Sequence, residues 1–206
     1  MGCFGSSNPA LAEACKGKTQ EQKKVIEYFC KEEGCMSKNM TDDAYLAQVR
    51  AKRDSLNLKQ KAIAKTGLDE DEIKEISPAV FEGFVFSKAY SKKRANGNWV
   101  SSRYQVSWLF FSSTQVFLYS HIFNMDDDDK KVTTEDYFYK DVITFSTVSE
   151  TETSKDREGK DVTVETEFCS MKITDGSKFM LALNGGSDAE RIIQGIKAKI
   201  REKRQQ

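Results

Sequence analysis

The sequence lacks the long apolar segments of membrane proteins and the biased composition of disordered proteins. No apolar run approaches the ~18 residues of a transmembrane helix, and the N-terminus has neither the basic nor the apolar region of a signal peptide. Only two of the 206 residues are proline and 38% are hydrophobic, which lies within the globular range. We therefore expect a globular cytoplasmic protein without a transmembrane segment.

Residues that carry catalytic or metal chemistry are also scarce. Five cysteines are an odd number without the spacing of a disulfide framework, which indicates reduced thiols. Cys30 and Cys35 lie close in sequence, but no further pair of ligands has the spacing of a zinc site. The single histidine, His121, lies in an apolar strand-like segment, where a structural role is more common than catalysis. Without a catalytic triad or a phosphate-binding loop with its lysine, the patterns predict no enzyme, no cofactor and no metal.

The N-terminal sequence MGCFGSS matches the short pattern for N-myristoylation at Gly2, and Cys3 is a neighbouring candidate for palmitoylation. One acyl chain binds a membrane only marginally, so a second signal would be needed for stable anchoring. Because this pattern is short and loosely defined, the favoured interpretation is an unmodified, flexible N-terminus over residues 1–18.

Residues 19–76 have the periodicity of two to three α-helices. A capping box formed by Thr19 and Gln22 opens the first helix. A second helix begins at Thr41 and ends at Gly67, and a short third helix completes the segment. Their apolar stripes are narrow, so we expect these helices to dock on another surface rather than to form a strong core of their own.

Residues 79–206 change to the two-residue period of β-strands. Seven segments have this pattern, and Asn96 and Gly97 form a typical hairpin turn between the first two, residues 79–90 and 98–112. An amphipathic helix of about 17 residues begins at Ser187. We therefore predict an α+β fold: a seven-stranded, antiparallel bent sheet or partly open barrel, closed by a C-terminal amphipathic helix and preceded by the helical segment.

This order of seven strands and a terminal helix resembles the pleckstrin-homology-like (PH-like) domains, in particular the bacterial PH type. The resemblance covers residues 79 to about 204. It includes YFYKDVITFSTVS, residues 137–149, which is similar to the aromatic entry of their middle strand, and the helix that follows FMLAL. Since the fold usually serves binding, the resemblance implies a non-enzymatic binding or adaptor module that docks on a protein partner or on its own N-terminal helices.

Charge is balanced over the whole chain but is sorted along it. Lys and Arg total 32, as do Asp and Glu, so the composition does not indicate a nucleic-acid partner. Residues 83–125 contain no acidic residue, whereas residues 126–167 contain fourteen acidic and six basic residues. The basic residues of the acid-free stretch are Lys88, Lys92, Lys93, Arg94 and Arg103.

The resemblance implies that these five residues lie where PH-type domains bind anionic headgroups, on the first hairpin. Ser101 stands where the PH pattern has another basic residue, so weak attraction to an anionic membrane surface is expected rather than tight binding. Two alternatives to the adaptor function therefore stay open: peripheral binding of anionic lipid or another polyanion, and an enzyme with an unrecognised carboxylate site. If the N-terminal helices cover the hairpin, a displaceable autoinhibitory arrangement is a hypothesis to test; if they pack elsewhere, a dimer or partner surface is favoured.

The run NMDDDDKKV, residues 124–132, ends the acid-free stretch. Its four aspartates lack the alternate spacing, the glycine and the later acidic ligand of a calcium loop. Adjacent carboxylates repel one another unless they are solvated or bound. The pattern therefore predicts a solvated loop tip between two strands, whose replacement by asparagine leaves folding nearly unchanged.

Overall fold

The computed structural model describes residues 9–30, 40–68, 77–156, 158–184 and 187–204. Within these residues, the helices are α1 (Pro9–Ala14), α2 (Gln20–Cys30), α3 (Asp42–Ser55), α4 (Leu58–Thr66) and α5 (Ser187–Lys203). The strands are β1 (Ala79–Val85), β2 (Ser91–Lys93), β3 (Trp99–Ser101), β4 (Arg103–Phe111), β5 (Gln115–Asn124), β6 (Lys130–Phe138), β7 (Val142–Lys155), β8 (Asp161–Ile173) and β9 (Lys178–Ala182).

The nine described strands form three antiparallel sheets. One has four strands in the order β1-β4-β5-β6, one has three in the order β7-β8-β9, and β2 pairs with β3 alone. The predicted α+β class with a C-terminal helix is confirmed. The finer prediction of one seven-stranded bent sheet or barrel is not confirmed, because the described strands number nine and are divided among three sheets.

The additional strands arise because each of the first two predicted strands is interrupted. The first ends at Val85, and Lys88 then adopts a left-handed conformation with φ of 56°, which no extended strand can contain. The second is interrupted at Ser102, whose backbone N–H donates to the carbonyl oxygen of Tyr90 at 2.9 Å. The residues between the two interruptions fold into the separate β2–β3 hairpin.

The first core lies between the two larger sheets and α5. Ile193, Ile196 and Ile200 of α5 are buried in one cluster with side chains of β4, β5, β7 and β8. Burying a large aliphatic side chain stabilises a fold by about 1.5–3 kcal/mol, so this stripe holds the helix in place. This packing explains why the C-terminal sequence is amphipathic.

The second core lies on the opposite face of the four-stranded sheet and contains the N-terminal helices. Alternation along β4 places Leu109 in the first core, whereas Val106 and Phe110 contact the helices. Among the helical side chains that are fully buried in this second core, Tyr45 and Phe29 are the largest. The helices α2, α3 and α4 therefore dock on the sheet as an integral layer.

The local helix signals are correct in part. In the predicted capping box, the backbone N–H of Gln22 donates to Thr19 Oγ1 at 3.2 Å and the N–H of Thr19 donates to Gln22 Oε1 at 2.9 Å. The predicted second helix is two helices, because Asn57 adopts a left-handed conformation between α3 and α4. The predicted third helix lies in residues 69–76, outside the described residues.

Candidate anion-binding site at the basic hairpin

The β2–β3 hairpin carries most of the predicted basic site. Its turn is closed by the backbone N–H of Arg94, which donates to the carbonyl oxygen of Asn98 at 2.8 Å, and by that of Gly97, which donates back to Arg94 at 2.9 Å. Gly97 has a φ of 87°, which explains why glycine is favoured there. The predicted hairpin turn is thus present, and it fixes the positions of the basic side chains around it.

Two of the five predicted residues, Lys92 and Arg94, meet beneath the N-terminal helices. Lys92 Nζ lies 3.9 Å from Asp42 Oδ1, and Arg94 Nε lies 3.7 Å from Asp42 Oδ2. Arg94 Nη2 lies 3.8 Å from Asp43 Oδ1. One carboxylate at the start of α3 therefore pairs with both cations of the hairpin.

An aromatic ring completes this cluster. The Nζ atom of Lys92 lies 4.8 Å from the ring centroid of Tyr28, and the Tyr28 hydroxyl donates to Asp42 Oδ1 at 2.8 Å. A cation over an aromatic face contributes about 0.5–1 kcal/mol at exposed sites and more when desolvated. Tyr28 thus binds the cation with its face and the carboxylate with its hydroxyl, and it connects α2 to the ion pairs.

The charge of Asp42 is favoured by its place in the helix. Thr41 is the N-cap of α3, and its Oγ1 accepts from the backbone N–H of Ala44 at 3.2 Å. Asp42 and Asp43 occupy the first turn, where the partial positive charge of the helix N-terminus stabilises carboxylates. The helix start and the hairpin therefore attract the same two carboxylates from opposite sides.

The other three predicted residues do not join this cluster. Lys93 is exposed on the opposite face of β2, as alternation along a strand requires. Lys88 is exposed in the connection between β1 and β2. Arg103 Nε donates to Asn124 Oδ1 at 2.9 Å and its Nη1 donates to the carbonyl oxygen of Ser87, so this guanidinium connects two chain segments.

Three residues of the cluster were missed by the sequence analysis: Tyr28, Asp42 and Asp43. The two aspartates directly follow Thr41, where the sequence pattern indicates only the start of a helix. The available signal was charge complementarity, since an acidic pair precedes the basic cluster by some fifty positions. That signal is weak by itself, because acidic residues at helix starts are common in any protein.

The acidic run lies in the β5–β6 connection, as predicted, but it is not only a solvated tip. Asp128 Oδ1 accepts from Gln22 Nε2 at 2.9 Å, which connects the run to α2. Asp127 Oδ1 accepts from Asn124 Nδ2 at 2.7 Å and from the backbone N–H of Asp129 at 2.8 Å. Burial raises the pKa of Asp126 above its ordinary value.

Burial shifts the pKa values of the histidine and of two cysteines in the described residues. His121 is buried, its Nδ1 lies 3.3 Å from the Tyr119 hydroxyl, and burial together with Lys61 and Lys130 lowers its pKa. Burial raises the pKa of the Cys30 thiol to about 11 and that of Cys169 to about 12, the opposite of what a nucleophilic cysteine requires.

Several predictions concern segments with little or no structural description. Gly2 and Cys3, the lipidation candidates, lie outside the described residues, and so does Cys35 of the weak zinc candidate. Among the residues that the structure describes, no group of three or more His, Cys, Asp or Glu side chains is placed to hold a metal ion. In the same residues, every helix is too short or too polar to cross a membrane.

Comparison with known proteins assigns no relationship. The sequence matches no protein-family model, and no curated protein and no solved structure matches it significantly. Function must therefore be argued from the geometry of the site.

Proposed function

We propose that this protein is a non-enzymatic binding module in which the protein's own N-terminal helices are bound to the basic hairpin. The observation that carries this proposal is the position of Asp42, whose carboxylate pairs with both Lys92 and Arg94. In this arrangement the hairpin is an internal docking surface, and the cations that an external anion would need already have partners.

The size of the helical interface argues that the occupant is permanent. Val25, Phe29, Tyr45, Val49 and Leu58 of the helices are all buried against the sheet. At about 1.5–3 kcal/mol for each side chain, exposing them would cost on the order of 10 kcal/mol, which is comparable to the whole stability of a domain. An anion that gains about 1 kcal/mol per basic residue cannot displace these helices, so displaceable autoinhibition is disfavoured.

The arrangement of the two larger sheets supports a PH-like relationship. If the β2–β3 hairpin is regarded as an insertion after β1, seven antiparallel strands (β1, β4, β5 and β6 in one sheet, and β7, β8 and β9 in the other) precede the C-terminal helix, which is the order that the resemblance implies. The N-terminal helical layer is then an addition to a binding fold. Fold alone does not specify a ligand, so the proposal depends on the contacts of the hairpin.

A second candidate function is peripheral binding of a polyanion through the lysines that the helices leave exposed. Lys88 lines a cavity of about 380 Å³ together with Lys18 and Lys155, which come from separate parts of the chain. Asp126 and Asp127 line the same cavity and oppose an anion there. This candidate assigns binding to Lys88, which lines the cavity, and to Lys93, which is exposed on β2, and not to Lys92 and Arg94.

Two double variants of the full chain separate these functions: Lys92→Ala/Arg94→Ala and Lys88→Ala/Lys93→Ala. Under the internal docking function, the first variant loses about 1–2 kcal/mol of unfolding free energy, because the Asp42 and Tyr28 contacts disappear. The second variant, which removes the same number of cations from exposed positions, unfolds like the wild type. Urea denaturation measures both.

Co-sedimentation with vesicles supplies the other half of the test. Internal docking predicts that the wild type binds vesicles with phosphatidylserine no better than neutral phosphatidylcholine vesicles. Salt-sensitive binding to the acidic vesicles that Lys88→Ala/Lys93→Ala abolishes would establish the second candidate instead. Binding that depends on Lys92 and Arg94, without any effect of these residues on stability, would overturn the internal docking function.

A further inference from the structure

Strand β6 is an open edge of the four-stranded sheet. It ends the order β1-β4-β5-β6, so among the described residues it has a strand partner on one side only. The strand runs for 9 residues, its register with β5 is uninterrupted, and it contains no proline. Natural proteins usually shorten, twist or cover such edges, because a long regular edge accepts a further strand. The strand is therefore a candidate surface for strand addition.

The backbone groups that point away from the sheet follow from the hydrogen bonds at the two ends of β6. The N–H of Asn124 donates to the carbonyl oxygen of Asp129 at 3.3 Å, and the N–H of Tyr139 donates to that of Thr114 at 3.2 Å. Along an antiparallel pair, residues that bond to the neighbouring strand alternate with residues that do not. The odd-numbered residues of β6 thus bond to β5, and the even-numbered residues direct their N–H and C=O groups outwards.

The charges of β6 are sorted along the strand. Lys130 and Lys131 begin it, Glu135 and Asp136 lie near its end, and the residues between them are uncharged. None of the four forms an ion pair with another residue that the structure describes. The two acids accept hydrogen bonds from neutral groups, a tyrosine hydroxyl at 3.4 Å and a glutamine amide at 3.1 Å. The strand therefore has a positive half and a negative half, and both are available to a partner.

The other described edge strands of the two larger sheets, β1, β7 and β9, differ in this respect. Each of their charged side chains has a partner within the protein. The contacts are Glu82 with Arg53, Glu150 with Lys178, Lys155 with Asp161, and Glu152 with the backbone N–H groups of Phe86 and Ser87. Among the described edges, β6 is thus the one whose charges are left for another molecule.

Two copies of β6 are complementary when they run antiparallel about Thr133. In that register Lys130 lies opposite Asp136 of the second copy, and Lys131 lies opposite Glu135 of the second copy. Cross-strand pairs of opposite charge stabilise a sheet, whereas like charges directly opposite each other destabilise it. Even-numbered residues also lie opposite even-numbered residues, so the outward backbone groups of both copies meet, and each such pair can exchange two hydrogen bonds.

Other arrangements of two β6 strands lose these charge pairs. Charges on an edge strand usually prevent self-pairing, and a parallel pair in register would indeed put lysine opposite lysine and acid opposite acid. An antiparallel pair about Thr134 also joins the outward backbone groups, but it puts the two lysines opposite the aromatic residues Tyr137 and Phe138. Charge therefore selects the antiparallel register about Thr133.

We propose that this protein binds a second copy of itself through β6, in a twofold-symmetric dimer that joins the two four-stranded sheets into one. The partner is a second copy because one strand supplies both of the charge patterns that the interface needs. Pairing also covers Val132, an apolar side chain that is 41% exposed in the single chain. The dimer does not depend on the contacts of the basic hairpin, so it stands or falls independently of the proposed function.

Sedimentation velocity of the full chain over a range of concentrations tests for the dimer. The wild type should form a reversible dimer. Its dissociation constant should rise several-fold between about 0.05 M and about 0.5 M sodium chloride, because salt screens exposed charge pairs. A chain that stays monomeric at every concentration, or a dimer that is indifferent to salt, overturns the proposal.

Charge reversal tests whether β6 carries the contact. Lys130→Glu/Lys131→Glu makes both halves of the strand negative, so the dissociation constant of the dimer should rise at least about tenfold. Lys88→Glu/Lys93→Glu makes the same change of charge at exposed positions outside β6 and is the matched control, which should dimerise like the wild type. Equal weakening by the two variants would show a general effect of charge and would overturn the proposal.

Complementation between variants tests the pairing of the two halves and does not depend on a loss of association. Glu135→Lys/Asp136→Lys makes both halves of β6 positive and should also weaken the homodimer. An equimolar mixture of this variant with the all-negative variant should form a heterodimer, since every cross-strand pair then has opposite charges. The variant that carries all four substitutions should recover the homodimer with the signs reversed. Failure of both the mixture and the fourfold variant to associate overturns the proposal.

Proline substitution tests whether the backbone of the edge makes the contact. Thr134→Pro removes an outward N–H and none of the bonds to β5, so the circular dichroism of the fold should be kept while the dimer is lost. Thr151→Pro removes an N–H that points away from the neighbouring strand on the β7 edge, and it should leave the dimer unchanged. Dimerisation that survives Thr134→Pro, or that Thr151→Pro abolishes, would assign the contact to another surface.

Discussion

Tyr45 of α3 donates a hydrogen bond to the backbone carbonyl oxygen of Ser101, with 2.5 Å between the two oxygen atoms. Tyr45 is fully buried, and burial raises its pKa well above the ordinary tyrosine value. Its ring stacks on Tyr28 with centroids 4.6 Å apart. One side chain thus connects two helices to the last residue of the basic hairpin, and the hairpin cannot move independently of the helical layer.

Tyr45→Phe removes this hydrogen bond while it keeps the aromatic packing. The buried carbonyl oxygen of Ser101 then loses a donor, so we expect a loss of about 1–3 kcal/mol in the unfolding free energy. Urea denaturation measures the change. Tyr90→Phe is the control, because the Tyr90 side chain is only partly buried and its hydroxyl makes no hydrogen bond within the described residues. Equal effects of the two substitutions would show that the Tyr45 hydroxyl is not an anchor.

Gln105 connects the two larger sheets, and its replacement by alanine should destabilise the fold more than Tyr45→Phe does. Its Oε1 accepts from the backbone N–H of Ala182 at 2.9 Å, and its Nε2 donates to the carbonyl oxygen of Met180 at 2.9 Å. Gln105→Ala leaves both backbone groups of β9 unsatisfied and should cost about 2–4 kcal/mol. Gln115→Ala removes an exposed amide with one contact to Asp136 and should cost less than about 0.5 kcal/mol. Thermal unfolding of the two variants makes the comparison.

The pH dependence of stability should report on His121. Burial lowers the pKa of His121 in the folded state. As the pH falls, the histidine of the unfolded chain is therefore protonated before that of the folded chain. Stability is therefore complete above the unfolded pKa of about 6.5 and is lost as the pH falls below that value towards the lowered pKa of the folded state. His121→Phe should be less sensitive over this interval, and the chain has no other histidine to complicate the measurement. An NMR titration in which the folded His121 protonates above its ordinary pKa would contradict this sign.

The acidic run gives a test with the opposite sign. Because the pKa of Asp126 is raised in the folded state, its ionisation is disfavoured there and stability falls as the pH rises through the raised value. Replacement of residues 126–129 by asparagine keeps the side-chain oxygens that accept hydrogen bonds from Gln22 and Asn124. At neutral pH, the unfolding free energy of the fourfold asparagine variant should therefore lie within about 1 kcal/mol of the wild-type value. As the pH rises, this free energy should decline less in the variant than in the wild type.

Asp127→Ala is the contrasting variant for the same loop. It removes the acceptor of the two hydrogen bonds from Asn124 and from the backbone of Asp129, and it should cost about 1–2 kcal/mol. A large fall in melting temperature for the asparagine variant, but not for Asp127→Ala, would mean that the negative charge itself stabilises the loop.

Local sequence signals predicted the elements whose causes are local. The Thr19 capping box, the Gly97 turn and the helix that begins at Ser187 depend on contacts within a few residues or on one apolar stripe, and each is present. The strand interruptions were not predicted, because the partner that interrupts the ladder at Ser102 is the distant Tyr90. Alternation of side chains cannot show where a strand changes its pairing partner.

By itself, the sequence determined the α+β class, the closing helix and the grouping of basic residues in an acid-free stretch. The tertiary structure alone decided what those basic residues contact. Lys92, Lys93 and Arg94 are neighbours with the same sign of charge, yet two of them are paired with Asp42 and one faces solvent. Strand alternation places Lys93 on the face opposite Lys92 and Arg94. The docking of α3 brings the carboxylate of Asp42, fifty positions away in sequence, only to the face that carries Lys92 and Arg94.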